Sequence, residues 1–208
     1  MRNLVLSIMA LLPFVCFSQS FNIDGSIATD NGNNLFIYNF NPGVGVSITN
    51  NDYIFGGIKF QAYNLIPKSD RDEDDVWTTT TVLNFLVYSG VRHLIPLVRI
   101  NKNSEDEYII GIFPEGKLYF NPYVPRKLKY INDNNIEKTA EGDYSCQLAY
   151  ALGFGVFFRE SNEDNYLALN FEFSTIDAFK TIRTLNVENK HFDFPTQKQF
   201  SVGLSLFF

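Results

Sequence analysis

The feature that most constrains this chain is the alternation of its final residues. Over 199–208, Gln199, Ser201, Gly203 and Ser205 alternate with Phe200, Val202, Leu204, Leu206 and Phe208. A period of two places the five apolar side chains on one face of a β-strand, a pattern that a helix scatters round its circumference. Such a strand can cover a water-soluble core or face hydrocarbon. In hydrocarbon every backbone N–H and C=O must be paired within a closed sheet. Chain ends of soluble domains fray and tend to be polar, so an apolar-faced strand running to Phe208 predicts the second case, a strand of a closed barrel.

The same alternation recurs upstream, at 21–29, 43–49, 53–63, 76–95, 108–122, 144–158 and 166–175. It is clearest at 144–158, where Tyr144, Cys146, Leu148, Tyr150, Leu152, Phe154, Val156 and Phe158 share one parity and small or polar residues the other. Trp77 opens the fourth run on the outward parity, where an interfacial aromatic belongs. Pro114 interrupts the fifth, since proline gives no N–H to a ladder, and it marks a bulge or a turn there. The predicted fold is all-β, an antiparallel up-and-down transmembrane β-barrel of eight strands. Turns at Pro114 and near Gly90 would make it ten. The segments 31–41, 67–75, 126–143 and 177–196 read as long connections, and the turns at Asn50 and Arg159 as short ones. The stretch 97–107 reads as a turn with a polar centre. If the chain ends lie in the periplasm, the long connections are the external ones and the short turns the periplasmic ones, as barrels of this kind require.

Residues 1–18 read as a secretory signal, with Arg2 ahead of an apolar run over 4–17 and cleavage after Ser18. Acylation at Cys16 is the other way to read this leader. The remaining 19–208 has the length of one domain and holds one cysteine, Cys146, so it has no intramolecular disulfide. Losing Arg2 reduces the 17 basic residues to 16 against 23 acidic ones, a net charge of −7. That balance excludes nucleic acid as a partner, because phosphate binding needs a basic footprint. Mean hydropathy is near zero, as alternating strands make it, since the two parities cancel in any window.

On this register Asp24, Lys59, Gln61, Asn84, Arg92, Glu115, Lys117, Gln147, Asn170 and Glu172 point inward, with Tyr88, Tyr119 and Asn121. An eight-stranded barrel is just wide enough for side chains to fill, so these acids and bases are expected to pair as a lumen network. A proton or small-ion path is the other reading. Asp70, Asp72, Glu73, Asp74 and Asp75 cluster in one connection and could hold a divalent cation through oxygen ligands, yet they lack the spacing and glycine of a calcium loop. A solvated face is the plainer account. Two histidines leave little for zinc or Ser-His chemistry. His93 falls on the outward parity near the periplasmic rim. His191, with Asp193 and Ser201, could be imagined as an acyl-modifying site. No cofactor is expected.

The signal-like leader, the periodic strands and Phe200, Val202, Leu204, Leu206 and Phe208 together resemble the small outer-membrane β-barrel superfamily, of the OmpA/OmpX type. The resemblance implies a Gram-negative outer-membrane location, and it implies that the terminal aromatic with its alternating apolar residues is the signal read by the barrel insertion machinery. Membrane lipid and lipopolysaccharide are implied partners, with an external protein or surface partner bound through the loops. Function is less constrained by fold. The expected role is structural or interaction-bearing, without catalysis. A passive porin-like or hydrophobic-ligand transporter and a lipid A-modifying enzyme are the alternatives. A soluble lipocalin-like barrel would turn the apolar parity inward instead.

Overall fold

The computed structural model describes residues 19–30, 36–65, 80–102, 107–121, 127–131, 137–141, 146–177, 180 and 198–208. These residues form β1 (Gln19–Asp30), β2 (Phe36–Ser47), β3 (Asp52–Leu65), β4 (Thr80–His93), β5 (Ile95–Ile100), β6 (Tyr108–Asn121), β7 (Lys127–Ile131), β8 (Glu137–Glu141), β9 (Gln147–Glu160), β10 (Tyr166–Ser174) and β11 (Gln199–Phe207). Eight of them make the wall, in the order β4-β3-β2-β1-β11-β10-β9-β6, and the β4–β6 pairing closes the ring. Every pairing is antiparallel, including β1 with β11. The fold is a closed, eight-stranded, up-and-down β-barrel.

The register fixes the barrel's width. Directly opposed residues lead from Ile109 through Arg159, Tyr166, Phe207, Asn22, Gly43, Gly57 and Tyr88 back to β6 at Tyr119, ten residues from the start. With eight strands, a spacing of about 4.8 Å and a rise of about 3.3 Å, that stagger gives a tilt of about 40° and a backbone radius of about 8 Å. Side chains fill such a width.

Pro114 neither turns the chain nor bulges it, and its pairing with β9 is unbroken. On its other side the ladder lapses between Arg92↔Glu115 and Ile95↔Ile112. The proline therefore sits where the neighbouring strand asks for no donor. Three expectations need correction. The second strand starts at Phe36 rather than Gly43, because Asn39 and Asn41, read as loop residues, are inward-facing amides that alternate with outward Tyr38 and Phe40. The fourth strand continues past Leu94 into β5, where a turn was expected from Leu97. A register shift between Pro96 and Val98 breaks the period there and sets Val98 and Ile100 opposite Ile110 and Tyr108. The connection read as a loop over 126–143 holds the β7–β8 hairpin.

The wall's polarity is opposite to that of a soluble barrel. Phe60, Phe85, Leu118, Leu152, Phe154, Leu169, Phe173 and Leu204 are exposed on its outer face, while Lys59, Arg92, Glu115, Lys117 and Glu172 are buried. A lipocalin-like arrangement is excluded on this ground. One end, the terminal rim, holds Phe208, tied to Phe21 by N–H to O=C bonds of 3.0 and 3.1 Å, and the short turns after β2, β5 and β9. At the opposite end, the loop rim, β1 is joined to β2, β3 to β4, β6 to β9 by way of β7 and β8, and β10 to β11. Inside, Tyr53, Leu94, Ile109, Phe113, Phe157, Tyr166, Ala168 and Phe207 form an apolar floor near the terminal rim. Glycines make room for it. Gly111 is opposed to Phe157 and Gly155 to Phe113, and a Cβ on either glycine would meet the ring beside it.

Candidate functional site: the interior network

The inward parity of β1, β3, β4, β6 and β10 brings three basic and three acidic side chains into the lumen: Lys59, Arg92 and Lys117 with Asp24, Glu115 and Glu172. Their charges balance. Glu172 lies at the centre, accepting from Lys59 Nζ at 3.0 Å, Lys117 Nζ at 2.9 Å and the Tyr119 hydroxyl at 2.8 Å. Lys117 is shared, with Glu115 Oε1 at 2.7 Å and Asp24 Oδ2 at 3.9 Å. Among the described residues neither side-chain oxygen of Asp24 has a hydrogen-bond partner, and Lys117 is its ion-pair partner.

Arg92 joins the network to the floor. Its Nε and Nη2 donate to Glu115 Oε2 at 3.0 and 2.6 Å, and its Nη1 donates to the Tyr166 hydroxyl at 2.9 Å. Its guanidinium carbon is 4.2 Å from the Phe113 ring centre, 4.4 Å from Phe207 and 5.2 Å from Phe55. An arginine this buried loses a large hydration energy, and two charge-assisted bonds to one carboxylate oxygen, with the surrounding ring faces, replace it.

Toward the loop rim the network becomes uncharged. Gln61 donates to Asn39 and Gln199 at 3.0 Å each, Asn84 donates to Gln61 at 3.2 Å, and Asn121 donates to Asn84 at 3.1 Å. Asn170 donates to the Ser205 hydroxyl at 2.6 Å. Gln147 is buried near the loop rim and faces the backbone of Asp177. Ile176, fully buried, packs with Leu86, Tyr119, Ala149 and Ala151.

All thirteen residues expected to point inward are thus buried, and the charged and amide side chains among them belong to these ion pairs and hydrogen bonds, with Gln147 against the Asp177 backbone. Absent from that expectation are the aromatic members, Phe55, Phe113, Tyr166 and Phe207. Their signal was present, since each shares the parity of a charged or polar neighbour such as Glu115 or Ser205. Phe200, Val202, Leu204, Leu206 and Phe208 all face outward. His93 is exposed at the terminal rim, its Nδ1 2.6 Å from Asp52 Oδ1. Ser201 is buried on the inward face of β11. Asp70, Asp72, Glu73, Asp74, Asp75, Trp77, Tyr144, His191, Asp193 and the leader lie outside the described residues. Among the described residues no group of three His, Cys, Asp or Glu side chains is placed to hold a metal ion.

No family model and no curated protein matches this chain. Among solved structures it is similar to Neisserial surface protein A, at 6% identity and a TM-score of 0.46, over 91% of this chain and 94% of that one. The N-terminal β-barrel domain of Pseudomonas aeruginosa OprF matches at 9% identity and a TM-score of 0.36, over 91% and 97%. Ail, the attachment invasion locus protein of Yersinia pestis, solved with the heparin analogue sucrose octasulfate, matches at 11% and 0.39, over 91% and 96%.

Proposed function

We propose that the chain is an integral outer-membrane protein with a structural or interaction role, carried by the connections at the loop rim, and without catalysis. The observation that carries this reading is the inverted polarity of a closed wall. Large apolar side chains cover the outside of all eight wall strands, and the ionised groups are inside. Wall strands of 9 to 14 residues match the roughly 9 to 11 tilted residues that cross a bilayer. The terminal rim then faces the periplasm, and the loop rim meets lipopolysaccharide and any external protein or surface partner. The acidic run at 70–75, in the connection between β3 and β4, is available there to a divalent cation. The terminal apolar face of β11 is the segment that the insertion machinery would read.

Two measurements test this. In intact cells, with Cys146 replaced by serine, a cysteine at Ser69 is expected to react with an impermeant maleimide. A cysteine at Asn162, in the turn after β9, is expected to react only after the outer membrane is opened. The reverse pattern would invert the orientation, and recovery in the soluble periplasmic fraction would end the membrane reading. The paired lumen also predicts that the purified protein adds no steady ion conductance to a planar bilayer. A persistent open level would favour the passive-transporter alternative.

A further inference from the structure

The last two residues of the chain are both phenylalanine, and the barrel separates them. Phe208 is 53% exposed on the outer face, whereas Phe207 is 1% exposed in the floor. Phe207 stacks on Tyr166 with ring centres 4.4 Å apart and planes 8° apart. It meets Tyr53 and Phe55 edge-on at 6.4 and 6.3 Å and forms one wall of the aromatic box round Arg92. One side chain from the last strand thereby touches β3, β4 and β10, on both sides of the β1–β11 seam where the two ends of the wall meet.

We infer that Phe207 is a closure lock, distinct from the outward residues of the same strand. Until β11 is in register, the box round Arg92 lacks a face and the floor lacks its central ring. Arg92 and Glu115 belong to the β4–β6 side of the barrel, so they can pair before the seam closes. The missing ring then leaves a desolvated guanidinium incompletely covered. Seating Phe207 removes that deficit and also fixes the register, because a one-residue slip of β11 would turn Phe207 outward and Phe208 inward. The final strand thus carries two sets of assembly information, an outward face for lipid and insertion machinery and an inward ring that reports closure. This rests on the membrane-barrel reading proposed above.

The test is refolding from urea into vesicles of dilauroylphosphatidylcholine with no insertion machinery present, followed by the heat-modifiable gel shift of the folded barrel. Phe207→Ala is expected to fold at least about tenfold more slowly than the parent, the scale of one desolvated cation–π contact. Phe208→Ala should fold at nearly the parental rate here and lose yield only in cells. The Phe207 effect should shrink several-fold in an Arg92→Met, Glu115→Leu background, where no charge needs the ring. Equal rates for Phe207→Ala and the parent would overturn the lock, as would an undiminished Phe207 effect in that background. If the parent itself never enters the vesicles, the membrane reading fails and the lock with it, a result distinguishable from failure of the lock alone.

Discussion

Replacing Glu172 with alanine is expected to destabilise the barrel by about 3 to 5 kcal/mol, the usual cost of stripping a buried charge of its partner. Glu172 is 6% exposed and accepts from two ammonium groups and a phenol. Its removal leaves Lys59 with no carboxylate of the described residues within ion-pair distance, while Lys117 keeps Glu115 and the more distant Asp24. Lys59 should therefore account for most of the loss. A Lys59→Met, Glu172→Leu pair should recover much of it, because apolar replacement of both partners is often close to neutral. Urea unfolding of the protein in vesicles reads the difference. A loss below about 1 kcal/mol for Glu172→Ala, typical of solvent-exposed pairs, would mean that water screens the lumen, and the plugged interior would have to be abandoned.

How far this network was legible in the sequence depends on what a parity argument can and cannot see. Alternation alone places Lys59, Glu115, Lys117 and Glu172 on the inner face, because an ion on the parity opposite Phe60 or Leu118 has nowhere else to go. It does not say which acid meets which base. Lys59 and Glu172 are far apart in the chain, and they meet across the lumen only because of the ten-residue stagger, which is set by pairing and not by composition. The aromatic floor was missed for a different reason. Phe113 and Phe207 share the parity of Glu115 and Ser205, which places them inside, but a reading weighted toward charged and polar side chains passes over an inward ring. The glycines opposed to Phe113 and Phe157, Gly155 and Gly111, mark where space has been cleared for rings. The start of β2 was missed because Asn39 and Asn41 are polar in the way loop residues are polar, while their burial as amides follows from the wall around them. At β5 the bulge at Leu97 shifts the period by one, and a template of strict alternation stops there.

Leu169→Arg is expected to cost about 2 to 4 kcal/mol, whereas Leu148→Arg should cost about 0 to 1 kcal/mol, because the cost of an arginine on a lipid-facing wall depends on depth. Both leucines are exposed on the outer face, Leu148 at 76% and Leu169 at 41%, so neither is packed in the interior. Leu169 is the fourth residue of the nine in β10, opposed to Val156 and Leu204 in the middle of the wall. Leu148 is the second residue of β9, at the loop rim. An arginine at the rim can reach headgroups with its long side chain, while one at mid-height must carry its charge through hydrocarbon or deform the bilayer. Equilibrium unfolding in vesicles measures both. In detergent-free water a soluble barrel would tolerate either change about equally, since an exposed position away from packing and pairing is usually within about 0.5 kcal/mol of neutral. Equal, small effects at the two positions would therefore remove the bilayer from the description of this wall. A cost at Leu148 as large as at Leu169 would instead move the hydrocarbon boundary up to the loop rim.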